Sequence, residues 1–151
     1  MANNGTKTRQ TETRLAAQLM KRILIHFRSQ MDEALRPQGV TTAQLHILKT
    51  IHNEPGVSGA QLARACYVTP QSAQSLLQGL EEGGWIVRVK DKVNDRIRVA
   101  QLTQTGETLL ETAEKAARII ENRVWKGVSD EAVGSLNRLL EQCLGNLELE
   151  S

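Results

Sequence analysis

Apolar residues along the chain switch period twice, and each switch marks a change of element. From residue 11 to 36 they recur at three- and four-residue steps, through Leu15 or Ala16, Leu19, Ile23, Phe27, Gln30 or Met31, and Ala34, until Pro37 and Gly39 stop the pattern. That spacing predicts one long amphipathic helix, preceded by a polar, aperiodic and frayed tail over residues 1–10. Thr41 with Gln44, and Ser58 with Gln61, each read as a capping box ahead of an apolar run. They predict a second helix with Leu45, Leu48 and Ile51 or His52 on its inner face, ended near Pro55-Gly56, and a short third helix through about Cys66. Thr69-Pro70, a cap residue with Pro at the first helical position, opens a fourth helix that stops at Gly83-Gly84. The connection between the third and fourth helices is the tight "CYVT".

After Trp85 the period drops to two. "WIVRVK" alternates apolar and basic residues, "DKVND" is a polar turn and "RIRVAQL" alternates again, which predicts a β-hairpin with basic side chains on one face. Helical spacing then returns through Leu109, Ala113, Ala116, Ile120 and Val124. Ser129 caps a final helix marked by Val133, Leu136, Leu140, Cys143 or Leu144, and Leu147. The fold class is therefore mainly α with a small β wing: a winged helix-turn-helix over 37–104, flanked by a long N-terminal helix over 11–36 and C-terminal helices over 105–151. A core of that size cannot cover three long apolar stripes, so these flanking helices are expected to bury one another across the twofold interface of a homodimer. A self-contained helical bundle is the alternative.

Composition narrows the picture. One Phe, one Tyr and two Trp in 151 residues leave the core to aliphatic side chains. A net charge of +2 does not by itself predict a polyanion partner, so the distribution of charge has to carry that argument. It is uneven: Arg88, Lys90, Lys92, Arg96 and Arg98 face only Asp91 and Asp95 between Trp85 and Arg98. Cys66 and Cys143 lie far apart in apolar helical patterns, which argues against a disulfide framework or zinc motif and for a reducing cytoplasm. No apolar run approaches the ~18 residues of a membrane span. Neither paired carboxylates, a nucleophile with a base, nor a phosphate-cradling glycine loop occurs at usable spacing, so no enzyme and no cofactor is expected.

The fourth helix carries the most specific chemistry. On a helical wheel Ala73, Leu76, Leu77 and Leu80 share one side, while Gln71, Gln74, Ser75 and Gln78 cluster opposite. Ordinary solvated faces are filled with Glu, Lys and Arg, and this one is not. Gln pairs with adenine N6 and N7, Ser donates or accepts, and neither brings an unpaired charge into a base-lined groove. The basic hairpin supplies phosphate contacts. This predicts double-stranded DNA as partner, with Gln71, Ser72, Gln74 and Ser75 facing bases, Thr69 and Gln78 near the backbone, and Arg88, Lys90, Lys92 and Arg98 on phosphates. A surface helix merely solvated by Gln and Ser, or a winged helix that binds another protein, would show the same face.

In order and in detail, "LRPQGVTTAQLHILKTI", "LLQGLEEGGWIVR" and "NDRIRVAQLTQTG" resemble the second-helix entry, the recognition-helix exit and the wing of the multiple-antibiotic-resistance regulator (MarR) family of bacterial winged-helix transcription factors. The resemblance spans about residues 12–148. It implies a cytoplasmic homodimeric regulator, a repressor at an inverted-repeat operator, relieved by a small-molecule effector. Counting back from Thr103 sets Asn94 and Arg96 at the positions of the family's Asp-x-Arg wing signature. Arg96 is thereby implied to enter the minor groove, with Asn94 in place of the family's aspartate and Asp95 one position late. The family's effector cleft would be lined here by His26, His46 and Trp125, and its redox-sensing members suggest a role for Cys66. His46 and His52, six apart, do not share the face a zinc pair needs.

Overall fold

The computed structural model describes residues 3–148. Its elements are α1 (Asn3–Leu35), a 3-10 turn (Arg36–Gln38), α2 (Thr42–Asn53), α3 (Gly59–Ala65), α4 (Pro70–Glu82), β1 (Ile86–Lys90), β2 (Arg98–Leu102), α5 (Gln104–Val124) and α6 (Asp130–Glu148). The chain forms two compact units, one through Ile120 and one from Glu121 onward.

The capping residues act as read. Thr41 and Ser58 each accept a hydrogen bond from the backbone N–H three residues on, and the side chains of Gln44 and Gln61 return the bond to the cap N–H. Thr69 accepts from Ser72 N–H, and Pro70 opens α4, where a missing N–H costs nothing. The expected frayed tail is a departure: α1 is already helical from Asn3, while Met1 and Ala2 lie outside the described residues. No proline interrupts residues 3–35, so the polar segment continues the helix that the apolar stripe begins.

The core of the first unit joins the end of α1 to the helix-turn-helix, the hairpin and most of α5. Met31, Leu35, Val40, Ile47, Leu48, Ile51, Leu62, Leu77, Leu80, Ile86, Leu109, Ala113 and Ile120 are buried together. On α1 the inner stripe ends on Met31 and Leu35, whereas Ala34 is exposed. A four-residue step from Phe27 to Met31 to Leu35 keeps these side chains over α2, and the three-residue step to Ala34 turns away. α5 also departs from the expected division at residue 104, since it packs into this core through Ile120.

Large apolar side chains remain uncovered on the rest of α1: Leu15, Leu19, Met20, Ile23 and Leu24 are all at least 44% exposed. In the second unit, Gly127 turns the chain with φ 81°, Ser129 caps α6, and α6 contributes no buried residue. Its Leu139, Leu144 and Leu147 are exposed. No described helix is long and apolar enough to cross a membrane.

α1 is tied to α2 by one carboxylate. Thr42 donates both its hydroxyl and its backbone N–H to Asp32 Oδ1, the latter at 3.0 Å. These bonds, the hydroxyl foremost, with Arg28 nearby, hold the Asp32 carboxyl below its ordinary value despite partial desolvation. A carboxylate depressed in the folded state stabilises the protein above its unfolded pKa, and that contribution is lost as pH falls through the folded value. Asp32→Asn is therefore expected to lower the urea midpoint near neutral pH, and the difference from wild type is expected to shrink below about pH 4. Denaturation curves across that range provide the check.

Candidate nucleic-acid interface

The geometry of α4 follows from its two ends. At the entry, Thr69 Oγ1 accepts from Ser72 N–H at 3.1 Å and its hydroxyl lies 2.9 Å from Ser72 Oγ. At the exit, Trp85 N–H bonds Leu80 O and Gly84 N–H bonds Glu81 O, both at 3.0 Å. This is a Schellman end, in which Gly84 takes the left-handed conformation at φ 77°. Thr103 then fastens the exit: its hydroxyl donates to Gly84 O at 2.7 Å and accepts from Gly106 N–H, while its own N–H bonds Trp85 O. A Cβ at Gly106 would run into the Trp85 carbonyl oxygen, so glycine lets α5 approach this closely. Thus α4, the first hairpin strand and α5 are fixed at one junction.

Between those ends Ala73, Leu77 and Leu80 are buried, and Gln71, Ser72, Gln74, Ser75 and Gln78 are exposed. The outward face is therefore the uncharged one the wheel predicted. Gln78 donates its amide to Glu82 Oε1 at 2.9 Å, which holds it at the C-terminal edge of that face.

The hairpin pairs Ile86 with Leu102, Arg88 with Ala100 and Lys90 with Arg98. Directly paired residues share a face, so Arg88, Lys90 and Arg98 lie on the same side as buried Ile86 and Ala100. The basic residues of the strands do share one face, as expected, and that face also carries Ile86. The strand alternation put Ile86 with the basic residues, and burying Ile86 draws that face toward the core. Arg88 is accordingly partly buried, with Nε 3.6 Å from Glu81 Oε2 at the end of α4. Lys90 and Arg98, one step farther along each strand, are exposed, as are Lys92 and Arg96 in the turn.

Two side chains shape that turn. Asp91 Oδ2 accepts from Val93 and Asn94 N–H, and Asn94 Oδ1 accepts from Arg96 N–H at 3.1 Å. Asn94 thus orients the Arg96 backbone through its side-chain oxygen. Lys90 opposite Arg98 is a like-charge cross-strand pair, which destabilises a free hairpin.

The remaining sequence candidates lie on different elements. His26 and His46 are exposed on α1 and α2, and Trp125 lies in the second unit, where it is 39% exposed. A concavity of about 300 Å³ along α1 is lined by Gln10, Thr11, Arg14, Leu15 and Gln18, and by none of those three. His52 Nδ1 sits 3.0 Å from Glu107 Oε2, linking α2 to α5. Cys66 is buried at the end of α3, its Sγ 3.8 Å from Thr50 Oγ1, and burial pushes its thiol pKa up. A thiol held protonated is a poor nucleophile. Tyr67 in "CYVT", not among the residues the sequence singles out, is a non-glycine residue at φ 53° and 88% exposed. Its only signal in the sequence was a bulky residue where a helix end favours glycine.

A family model described as MarR family matches residues 38–97, the span from the α2 entry through the wing turn. Over 124 residues the chain is 32% identical to the HTH-type transcriptional repressor Rv2887 of Mycobacterium tuberculosis, covering 82% of this chain and 89% of that one. The chain belongs to the MarR family. Other solved MarR-family structures share its fold, among them the regulator SP03579, with a TM-score of 0.84 at 20% identity over 98% of this chain and all of that one. Rv2887 itself has been solved in complex with DNA (TM-score 0.67, 29% identity, 84% of this chain and 95% of that one). It has also been solved with salicylic acid (TM-score 0.66, 31% identity, 83% and 93%).

Two consequences are measurable. Arg88→Ala is expected to lower stability by roughly 1 kcal/mol through lost packing and the weakened tie to Glu81, read as a lower thermal midpoint. In native protein, buried Cys66 is expected to react with a thiol reagent far more slowly than in urea-unfolded protein. Equal rates, followed by mass spectrometry, would show that Cys66 is accessible.

Proposed function

We propose that the chain is a homodimeric transcriptional repressor that reads an inverted-repeat DNA site with α4, holds the duplex with its wing, and is relieved by a small-molecule effector. The observation that carries this reading is the exposed, uncharged face of Gln71, Ser72, Gln74, Ser75 and Gln78, followed directly by a hairpin whose end sets Lys90 against Arg98. Phosphates would convert that unfavourable pair into a favourable one. Gln71, Ser72, Gln74 and Ser75 read base edges, and Thr69 and Gln78 lie near the backbone. Arg96 enters the minor groove while Lys90, Lys92 and Arg98 neutralise phosphates. Arg88, turned toward Glu81, positions the wing.

Dimerisation explains the open apolar surfaces: side chains such as Ile23 and Leu24 at 53% and 67% exposure are a liability on a free protomer. A twofold pair delivers two recognition helices to successive major grooves about one helical turn apart. Rv2887 being a repressor, with DNA and salicylic acid complexes, supports both the repressor assignment and an effector. The protein works in the bacterial cytoplasm beside the chromosome and is not an enzyme.

Selection of duplexes from a random-sequence pool, followed by fluorescence anisotropy across a salt series, tests the reading. Wild type is expected to prefer its selected duplex, with affinity falling steeply as salt rises. Arg96→Ala should weaken binding and reduce the salt slope by about 1. Gln74→Ala should instead relax the choice at a base pair by ~1–3 kcal/mol. Equal affinity for selected and scrambled duplexes would overturn sequence-specific recognition.

A further inference from the structure

Tyr67 is held in a conformation that costs stability, and its side chain contributes nothing to the core. It occupies the turn between α3 and α4: Val68 N–H bonds Ala63 O at 3.0 Å and Tyr67 N–H bonds Arg64 O at 3.2 Å. This is a second Schellman end, and Tyr67 takes its left-handed position at φ 53°. The Cβ makes that conformation unfavourable for residues other than glycine and, to a lesser extent, asparagine and aspartate. Elsewhere in the described residues the chain follows this preference, with glycine at each other positive φ: Gly39, Gly56, Gly84 and Gly127.

Packing does not explain the exception. Val68, the next residue, packs against the core and satisfies the apolar contact of the motif, while Tyr67 is 88% exposed. Strain retained at an exposed side chain points to a contact outside the protomer. Thr69, two residues on, caps the recognition helix, whose N-terminus favours an anion. A phenol two residues before that cap is an exposed hydrogen-bond donor.

We infer that Tyr67 donates its hydroxyl to a DNA backbone phosphate and so fixes how deeply α4 enters the groove, an inference that rests on the DNA-binding reading above. A neutral donor releases no counterion, so its loss lowers affinity without changing the salt slope, unlike the loss of a lysine or arginine. A backbone contact also carries no sequence information.

The test uses full-length protein and the duplex selected by wild type. Tyr67→Phe is expected to bind selected and scrambled duplexes more weakly by the same factor, roughly tenfold, with an unchanged salt slope and thermal midpoint. Tyr67→Gly should hold or raise the thermal midpoint while losing at least as much affinity. If Tyr67→Phe and Tyr67→Gly both match wild type while Arg96→Ala weakens binding, the Tyr67 contact is refuted and the DNA-binding reading stands. A reduced salt slope, or a loss confined to the selected duplex, would also refute a neutral phosphate contact. Failure of wild type to prefer any duplex overturns both.

Discussion

The structure turns on one hydroxyl. Thr103 accepts from the first turn of α5 and donates to the carbonyl of Gly84, at the point where α4 ends and the hairpin begins. Because Trp85 O also accepts from Thr103 N–H, the exit of the fourth helix, the base of the wing and the start of α5 have one relative geometry. Binding surfaces made from two elements need such a joint: the exposed face of α4 and the wing turn can act together only if the angle between them is set before a partner arrives.

Around that joint, burial and exposure divide the labour. Leu77, Leu80, Ile86 and Leu109 bury one side of α4, the hairpin and α5 against one another, so the polar face of α4 is free of structural duty. The wing obeys a different constraint. Its basic residues share a face with Ile86 and Ala100, so only those beyond the buried segment can reach outward. Arg88 stays near Glu81, while Lys90, Lys92, Arg96 and Arg98 extend past the core's edge. Position along the strand, rather than charge alone, decides which cations are available to a partner.

Much of this was legible in the sequence because local chemistry and tertiary structure agree. Thr41 with Gln44, Ser58 with Gln61, and Thr69 before Pro70 announce helix starts that the fold keeps, and the Ala73, Leu77 and Leu80 spacing gives the buried side of α4 correctly. The failures share a cause: they depend on a contact distant in sequence or on a backbone angle. Arg88 and Lys90 have the same strand parity and differ only in what lies beneath them. Tyr67 looks like any aromatic in "CYVT" until its left-handed φ is known. Nor does the α1 stripe reveal from spacing that its last turns use Leu35 rather than Ala34, because both fit a helical period.

The central claim is that the protein completes itself by pairing and reads DNA as that pair. Sedimentation velocity of the protein alone, and then with the duplex it selects, tests this most directly. The account predicts a mass of two chains without DNA and one such pair on each inverted-repeat duplex. A stable single chain at micromolar concentration that also binds the duplex singly would contradict it, because the apolar side chains of α1 and α6 would then need no second copy to cover them.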